Sequence, residues 1–263
     1  MSSGIVARRE NWRAWAAAVA RAAGDFLFPP VCPLCDRELP ADAGPRLTRF
    51  CIACQDRLLK TSGLACLRCG ASIGPHLDPA VPCDLCRHER FVFERVLRIG
   101  VYDDALRSAC LRAKNPGGES TAAALAGLLW DCALTGLHAD PPDVVVPIPR
   151  YWLERIVRHS AAAETMAACC ARRLQAPLAS AILTKRRYTR SQARSTPAER
   201  RGNLKGVFAV ADPRQVAGLS VLVVDDVMTT GTTANEAAKT LIRSGAARVI
   251  VAVAARGVGA RTF

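Results

Sequence analysis

Between Val221 and Glu236 the chain reads Val-Leu-Val-Val-Asp-Asp-Val-Met-Thr-Thr-Gly-Thr-Thr-Ala-Asn-Glu, and few folds accommodate such a run. Val221 to Val224 has no polar interruption, so it reads as a strand buried in a parallel sheet. Thr229-Thr230-Gly231-Thr232-Thr233 then forms a loop of small residues, and a helical pattern follows through Leu241 and Ile242. The first N–H groups of a helix have no intrahelical partner and sit at the positive end of its dipole. Together with the threonine hydroxyls they suit a phosphate monoester. Gly231 lets the backbone turn tightly and approach the anion. Asp225 and Asp226 stand one step earlier, at the strand's carboxyl end, where open α/β sheets bind ligands. Carboxylates cannot hold a phosphate, but they accept hydrogen bonds from sugar hydroxyls. The combination points to a ribose 5-phosphate.

Packing alone explains the stretch poorly, because a capped helix needs threonines but not paired acids. The magnesium-binding strand of an NTPase also ends in acids. It requires a G-x-x-x-x-G-K-[ST] loop, and no Gly-Lys pair occurs in the chain. A receiver domain carries its paired acids near its start, and too little chain remains beyond Asp226.

Eight of the twelve cysteines fall in four C-x-x-C pairs: Cys32/Cys35, Cys51/Cys54, Cys66/Cys69 and Cys83/Cys86. That spacing favours metal over a disulfide scaffold. Each pair sets two sulfurs about one tetrahedral edge apart, so two pairs complete a closed structural Zn²⁺ site. The intervening residues are rich in Pro, Gly, Asp and Arg, too polar for an independent core, so the segment needs cross-links to fold. Neighbouring pairs combine most simply, and an interleaved cross-brace satisfies the same spacing. With eight thiols available, His76 and His88 read as surface residues. Cys110, Cys132, Cys169 and Cys170 read as core thiols on helices, with no paired His and acid to activate any of them.

A length of 263 residues suits one sizeable α/β domain plus a small module. The formal charge of +13 falls to about +9 if two tetrathiolate zinc sites each carry roughly −2. The remainder still suits polyanions, either phosphorylated metabolites or nucleic acid. Arg13 and Arg21 interrupt the alanine-rich stretch near the N-terminus, which argues against an export signal, and no apolar run approaches membrane-spanning length. A reducing cytoplasm is the expected home. Trp12, Trp15, Val19, Ala22 and Phe26 recur at helical spacing and predict a helix within residues 1–30 that packs on its own domain or, as the alternative, lies on a membrane or a partner.

Beyond Arg95 the pattern alternates. Val96–Tyr102 predicts a strand, Asp103–Leu111 and Ser120–Leu134 helices, Asp143–Pro149 a strand and Leu153–Leu174 a helix. A basic stretch spans Lys185 to Lys205, Val207–Val210 closes it, and Arg248–Ala254 forms the last strand. Alternating strands and helices mean a parallel sheet with crossovers.

Val221 to Ala234 closely resembles the signature with which type I phosphoribosyltransferases bind phosphoribosyl pyrophosphate (PRPP). That resemblance assigns Asp225 and Asp226 to the ribose hydroxyls and Thr229, Thr230, Gly231, Thr232 and Thr233 to the 5-phosphate. From about Phe28 to Arg256 the order of features resembles the ComF (competence-type) family. It joins a double zinc ribbon, here 31–90, to a type I phosphoribosyltransferase domain, here 95–263. The parts carrying the likeness are the four C-x-x-C pairs, Lys114 before a Gly-containing turn, and Val146-Pro-Ile-Pro149. Thr189 and Gln192, Glu199-Arg-Arg-Gly-Asn203, and Asp225 to Thr233 complete it.

The resemblance implies an α/β fold and further roles. The Val146–Arg150 loop, with Pro147, would face the pyrophosphate. Lys114 and Arg150 would offset its charge, with Lys114 counted beside Asp225 and Asp226 in the catalytic set. Residues 185–205 would be a flexible hood whose Arg186, Arg187, Arg190 and Arg194 complete the clamp. Mg²⁺ would accompany PRPP. Three functions share these features: chemistry at the ribose C1 with an undeclared acceptor, non-catalytic handling of single-stranded DNA alongside other competence proteins, and PRPP sensing. Four Trp, three Tyr and seven Phe, mostly core-like, leave few platforms for base stacking. One departure stands out. Where the family usually carries Arg-Gly-Phe-Asn-Gln-Ala, this chain has Arg158-His-Ser-Ala-Ala-Ala163, losing amides that would contact the acceptor or cap a helix.

Overall fold

The apolar runs become a four-stranded parallel sheet in a computed structural model that describes residues 29–40, 49–151, 161–187 and 204–257, with Trp12, Trp15, Ala16 and Val19. Its strands are β1 (Val96–Val101), β2 (Val144–Pro147), β5 (Ser220–Met228) and β6 (Arg248–Arg256), in the order β1-β6-β5-β2. Central β5 pairs Val223 with Val146 on one side and with Val251 on the other. Strands β3 (Leu183–Lys185) and β4 (Phe208–Val210) form a separate antiparallel pair that closes residues 186–207 into one connection.

Both faces of the sheet are covered, which is why β5 and β6 read as continuous apolar runs. On one face Leu222, Val224, Ile250 and Ala252 meet α2 (Asp104–Ala113), α3 (Glu119–Leu129) and α4 (Ala162–Leu174). On the other, Val221, Val223, Val249 and Val251 meet Ala237, Ala238 and Leu241 of α5 (Thr232–Arg243). β5 runs past the two acids to Met228, further than the Val221–Val224 run predicts, because β6 continues alongside it and pairs Arg256 with Met228.

Helix α3 continues through a π turn at Trp130–Leu134 and a 3-10 turn at Thr135–Ala139. The resulting 21-residue segment, whose most apolar 18-residue window has a mean hydropathy of 1.3, is long and apolar enough to cross a membrane, contrary to the expectation that no run approaches that length. Its apolar character is that of a core helix: Ala122, Leu125, Leu129 and Leu134 are buried against the sheet and α4. Trp12, Trp15 and Val19 are helical but exposed, where the sequence expects them packed.

The described part of α4 begins at Ala162, and its N-cap Ala161 has no side chain with which to cap it. Ala161 is the position of the family's usual Asn. Restoring a cap with Ala161→Asn is expected to stabilise the protein by about 1 kcal/mol, read as a higher urea midpoint at unchanged slope. An unchanged midpoint would show that the lost amide does not serve the helix.

The cysteine-rich segment shares a core with the sheet domain. Phe50, Cys51, Cys54 and Leu58, at and within α1 (Ile52–Leu59), pack in one cluster with α2 and α3. The Thr121 hydroxyl donates to the Pro33 carbonyl at 3.3 Å. At β1, a Cβ on Gly100 would come within 2.8 Å of the Thr61 hydroxyl, which accepts the Val101 N–H at 3.1 Å. Only glycine allows the ribbon backbone this close.

Candidate functional site

The phosphate-type loop lies at the carboxyl end of β5. Gly231, at φ 78°, is the N-cap of α5, and a Cβ there would meet Met228 Cε at 2.9 Å and the Phe91 ring at 3.2 Å. Gly231 has no side chain with which to cap the helix, and the Thr230 hydroxyl accepts the Thr232 N–H at a long 3.4 Å. The Asn235 N–H donates to the Gly231 carbonyl, so the N–H groups of Thr232 to Ala234 precede the first internal helical bond. The hydroxyls of Thr230 and Thr232 lie 2.8 Å apart. Donors, dipole and hydroxyls therefore converge on one concavity, lined by Asp225, Val227, Met228, Thr229–Ala234 and Val253.

The two acids part company there. Asp225, in phase with Val221 and Val223, lines the concavity. Asp226, in phase with Leu222 and Val224, is buried on the α2 face. Its carboxylate meets Lys114 Nζ at 3.1 Å and Arg150 Nη2 at 3.7 Å. Asp225 accepts the Asp226 backbone N–H at 2.8 Å. Burial first, and the neighbouring Asp226 charge second, push the Asp225 pKa up to about 7, against the pull of that N–H, Lys114 and Arg150. Burial works against the Lys114 charge, but Asp226 and Asp225 outweigh it, and the ammonium is held above its ordinary range.

The cysteines gather into two groups, Cys32/Cys35/Cys51/Cys54 and Cys66/Cys69/Cys83/Cys86, so neighbouring pairs combine and the cross-brace is set aside. Within each group all sulfurs lie within 4.8 Å of one another. Distances of 3.6 Å for Cys35–Cys51 and Cys69–Cys83, and 3.8 Å for Cys66–Cys86, match the edge of a tetrahedron with Zn–S bonds of about 2.3 Å. The centres share a construction. The first pair of each closes a knuckle on a left-handed residue, Asp36 at φ 57° or Gly70 at φ 70°. The second pair sits on a turn where Gln55 or Arg87 donates back to the carbonyl of Cys51 or Cys83. Four thiols at these spacings fit zinc, and each set leaves no place for a substrate.

Residues 119–262 match the model of the phosphoribosyl transferase domain. The DNA utilization protein YhgH of Salmonella typhimurium is 31% identical over 207 residues, covering 77% of this chain and 88% of its own. Competence protein F of Haemophilus influenzae is 27% identical, with 77% and 88% covered, and competence protein ComFC of Bacillus subtilis is 23% identical, with 86% and 94% covered. The chain belongs to the ComF family of phosphoribosyltransferase-like proteins.

Seen as a ComF-family chain, the residues expected from sequence fall into three groups. Asp225 and Thr229–Thr233 share the concavity. Lys114 and Arg150 join Asp226, while Pro147 is buried at the end of β2, where the Ile148 N–H bonds to Val224. Arg190, Arg194, Thr189, Gln192 and the Glu199–Asn203 motif lie outside the described residues. At the foot of the basic segment, Arg187 donates to the Lys205 carbonyl at 2.7 Å. His76 and His88 are exposed and belong to neither thiol group. Cys110, Cys169 and Cys170 are buried as expected, but Cys132 is exposed because it sits on the π turn rather than on a regular helix face.

Three features escape sequence reasoning. Asn235 accepts the Val92 N–H at 2.8 Å, tying the ribbon's exit to α5. Phe91 stacks on Phe93 at 4.7 Å beside the loop. Arg256 is buried at the end of β6. A charged residue closing an otherwise apolar strand is the one signal the sequence offers for it.

Proposed function

We propose that this chain binds PRPP with Mg²⁺ at the β5–α5 concavity and supports chemistry at C1 of its ribose. The observation that carries the reading is the uncapped start of α5 beside the Asp225 carboxylate in one concavity. The N–H groups of Thr232–Ala234 and the threonine hydroxyls hold the 5-phosphate. Asp225 accepts from the ribose hydroxyls. Asp226 holds Lys114 and Arg150 at the edge of the site, where their charge offsets the pyrophosphate. Mg²⁺ entering with PRPP would supply further positive charge against the departing pyrophosphate. Loss of pyrophosphate leaves an oxocarbenium-like carbon that water would trap, so a transfer reaction requires that water be kept from the site.

Calorimetric titration with PRPP and Mg²⁺, followed by a pyrophosphate-release assay on the same sample, tests this. Saturable binding with release is the expected result. Binding without release would make the protein a sensor or carrier of PRPP, and no binding would overturn the reading.

A second reading, handling of single-stranded DNA, is favoured by the relatives named for DNA utilization and competence and by the +13 formal charge. DNA affinity that falls steeply with salt would support it. Twelve cysteines without a disulfide, eight of them grouped for metal, suit a reducing cytoplasm in either case.

A further inference from the structure

Two arginines reach from the sheet into the second ribbon, and among the described residues neither has a carboxylate partner. Arg98 of β1 and Arg256 of β6 are 7% and 6% exposed. Arg98 donates to the Thr61 carbonyl at 3.1 Å and the Ser72 hydroxyl at 2.9 Å, and its Nε has no partner among the described residues. Arg256 Nε donates to the Cys69 carbonyl at 2.8 Å. Its Nη1 donates to the Met228 carbonyl at 3.3 Å and also to the carbonyls of Thr229 and Gly257. One guanidinium thus grips a metal-ligand cysteine with one edge and the first residue of the phosphate-type loop with another.

A buried cation needs compensation, and carbonyl dipoles supply only part of it. Four thiolates around Zn²⁺ carry a net charge of roughly −2. Arg256 bonds Cys69 directly, and the Cys69 sulfur lies within 4.8 Å of those of Cys66, Cys83 and Cys86. The knuckle is also seated tightly on the sheet: a Cβ on Gly70 would come within 2.9 Å of Val96 Cγ1.

We propose that Arg256 is a positioning residue that ties the Thr229–Thr233 loop to the second thiolate–metal centre, so that the loop keeps its anion-binding shape only while that centre holds metal. Loss of metal frees the four sulfurs from one another and loosens the Cys66–Gly70 knuckle that carries the Cys69 carbonyl. Arg256 then loses its hold on both carbonyls. The first centre makes no comparable bond to the loop among the described residues.

Amide hydrogen exchange on the full chain without ligand tests this. Cys83→Ser, verified to have lost one zinc, and Arg256→Met are each expected to speed exchange at residues 229–234 at least tenfold. Val221–Val224 amides should stay protected. The double variant should exchange no faster than either single one, and Arg256→Lys should recover part of the protection. Unchanged loop exchange in the zinc-depleted Cys83→Ser protein would overturn the proposal, as would additive effects. If Arg256→Met fails to fold, the Cys83→Ser result decides alone. A parallel arm measures affinity for ribose 5-phosphate, expected to fall at least tenfold in Cys83→Ser. That arm rests on the proposed ligand reading. Absence of wild-type binding would sink that reading and leave the exchange result to judge Arg256.

Discussion

Asp225→Asn is expected to abolish Mg²⁺-dependent PRPP binding and, at the same time, to stabilise the ligand-free protein at neutral pH and above. The native pKa of Asp225 lies near 7, against 3.8 for the unperturbed group. The folded state therefore binds more protons than the unfolded state between those values. The group's contribution to stability is fully present below 3.8 and is lost as pH rises through about 7. Each pH unit between the two values is worth about 1.4 kcal/mol, so the loss is on the order of a few kcal/mol. Asn cannot ionise, so urea melts of the variant should lack this decline between about pH 4 and about pH 7. In the wild type, binding that requires the ionised carboxylate should tighten as pH rises through about 7. Asp226→Asn should do the opposite to stability. It strands Lys114 and Arg150 around a buried site, a loss of about 3–5 kcal/mol in comparable cases. PRPP affinity unchanged in Asp225→Asn would sink the ribose assignment, and equal stability effects from the two variants would show that the acids share one environment.

How much of this is legible in the sequence follows from the physics of each part. The β5–α5 unit is legible, because an apolar run, paired acids and a hydroxyl-rich loop constrain a short stretch by local rules. The two four-cysteine groups are too, because C-x-x-C spacing reports geometry directly, although spacing alone leaves the pairing open. The division of labour between Asp225 and Asp226 is harder to draw. Alternation along a strand implies it, but only once β5 is known to continue past them to Met228, and that depends on β6 running alongside. Arg256 and Asn235 are invisible for a similar reason. Each acts on a partner more than a hundred residues away, Cys69 or Val92, and no local pattern encodes that. Ala161 lies between. The sequence leaves its effect as a choice between a helix cap and an acceptor contact, and the helix boundary makes it a cap position.

Removing zinc should have unequal consequences at the two centres, and this is the largest effect expected. From composition alone the ribbon looks like a separable module whose loss would spare the sheet. The packing says otherwise for the first centre. Cys32, Cys51 and Cys54 are buried in the same cluster as Phe50, Leu58, Leu106, Leu125 and Ile250, which spans the ribbon, α2, α3 and β6. The second centre has its own small cluster of Cys66, Cys69, Ala71 and Cys86. Structural zinc in such sites contributes roughly 10–16 kcal/mol of apparent binding energy, comparable to the roughly 5–15 kcal/mol by which a whole domain is stable. Cys54→Ser is therefore expected to unfold the protein globally, with exchange protection lost in β5 and β6. Cys86→Ser is expected to release residues 61–90 and the Thr229–Thr233 loop while β5 stays protected. Cooperative loss of both strands in Cys86→Ser would show that the second ribbon is as deeply built into the core as the first. Full protection in either variant after its zinc is gone would show that the thiols carry no structural metal. The asymmetry makes physical sense of the duplication: one centre completes the core, and the other stays separate enough to act on the loop that Arg256 holds.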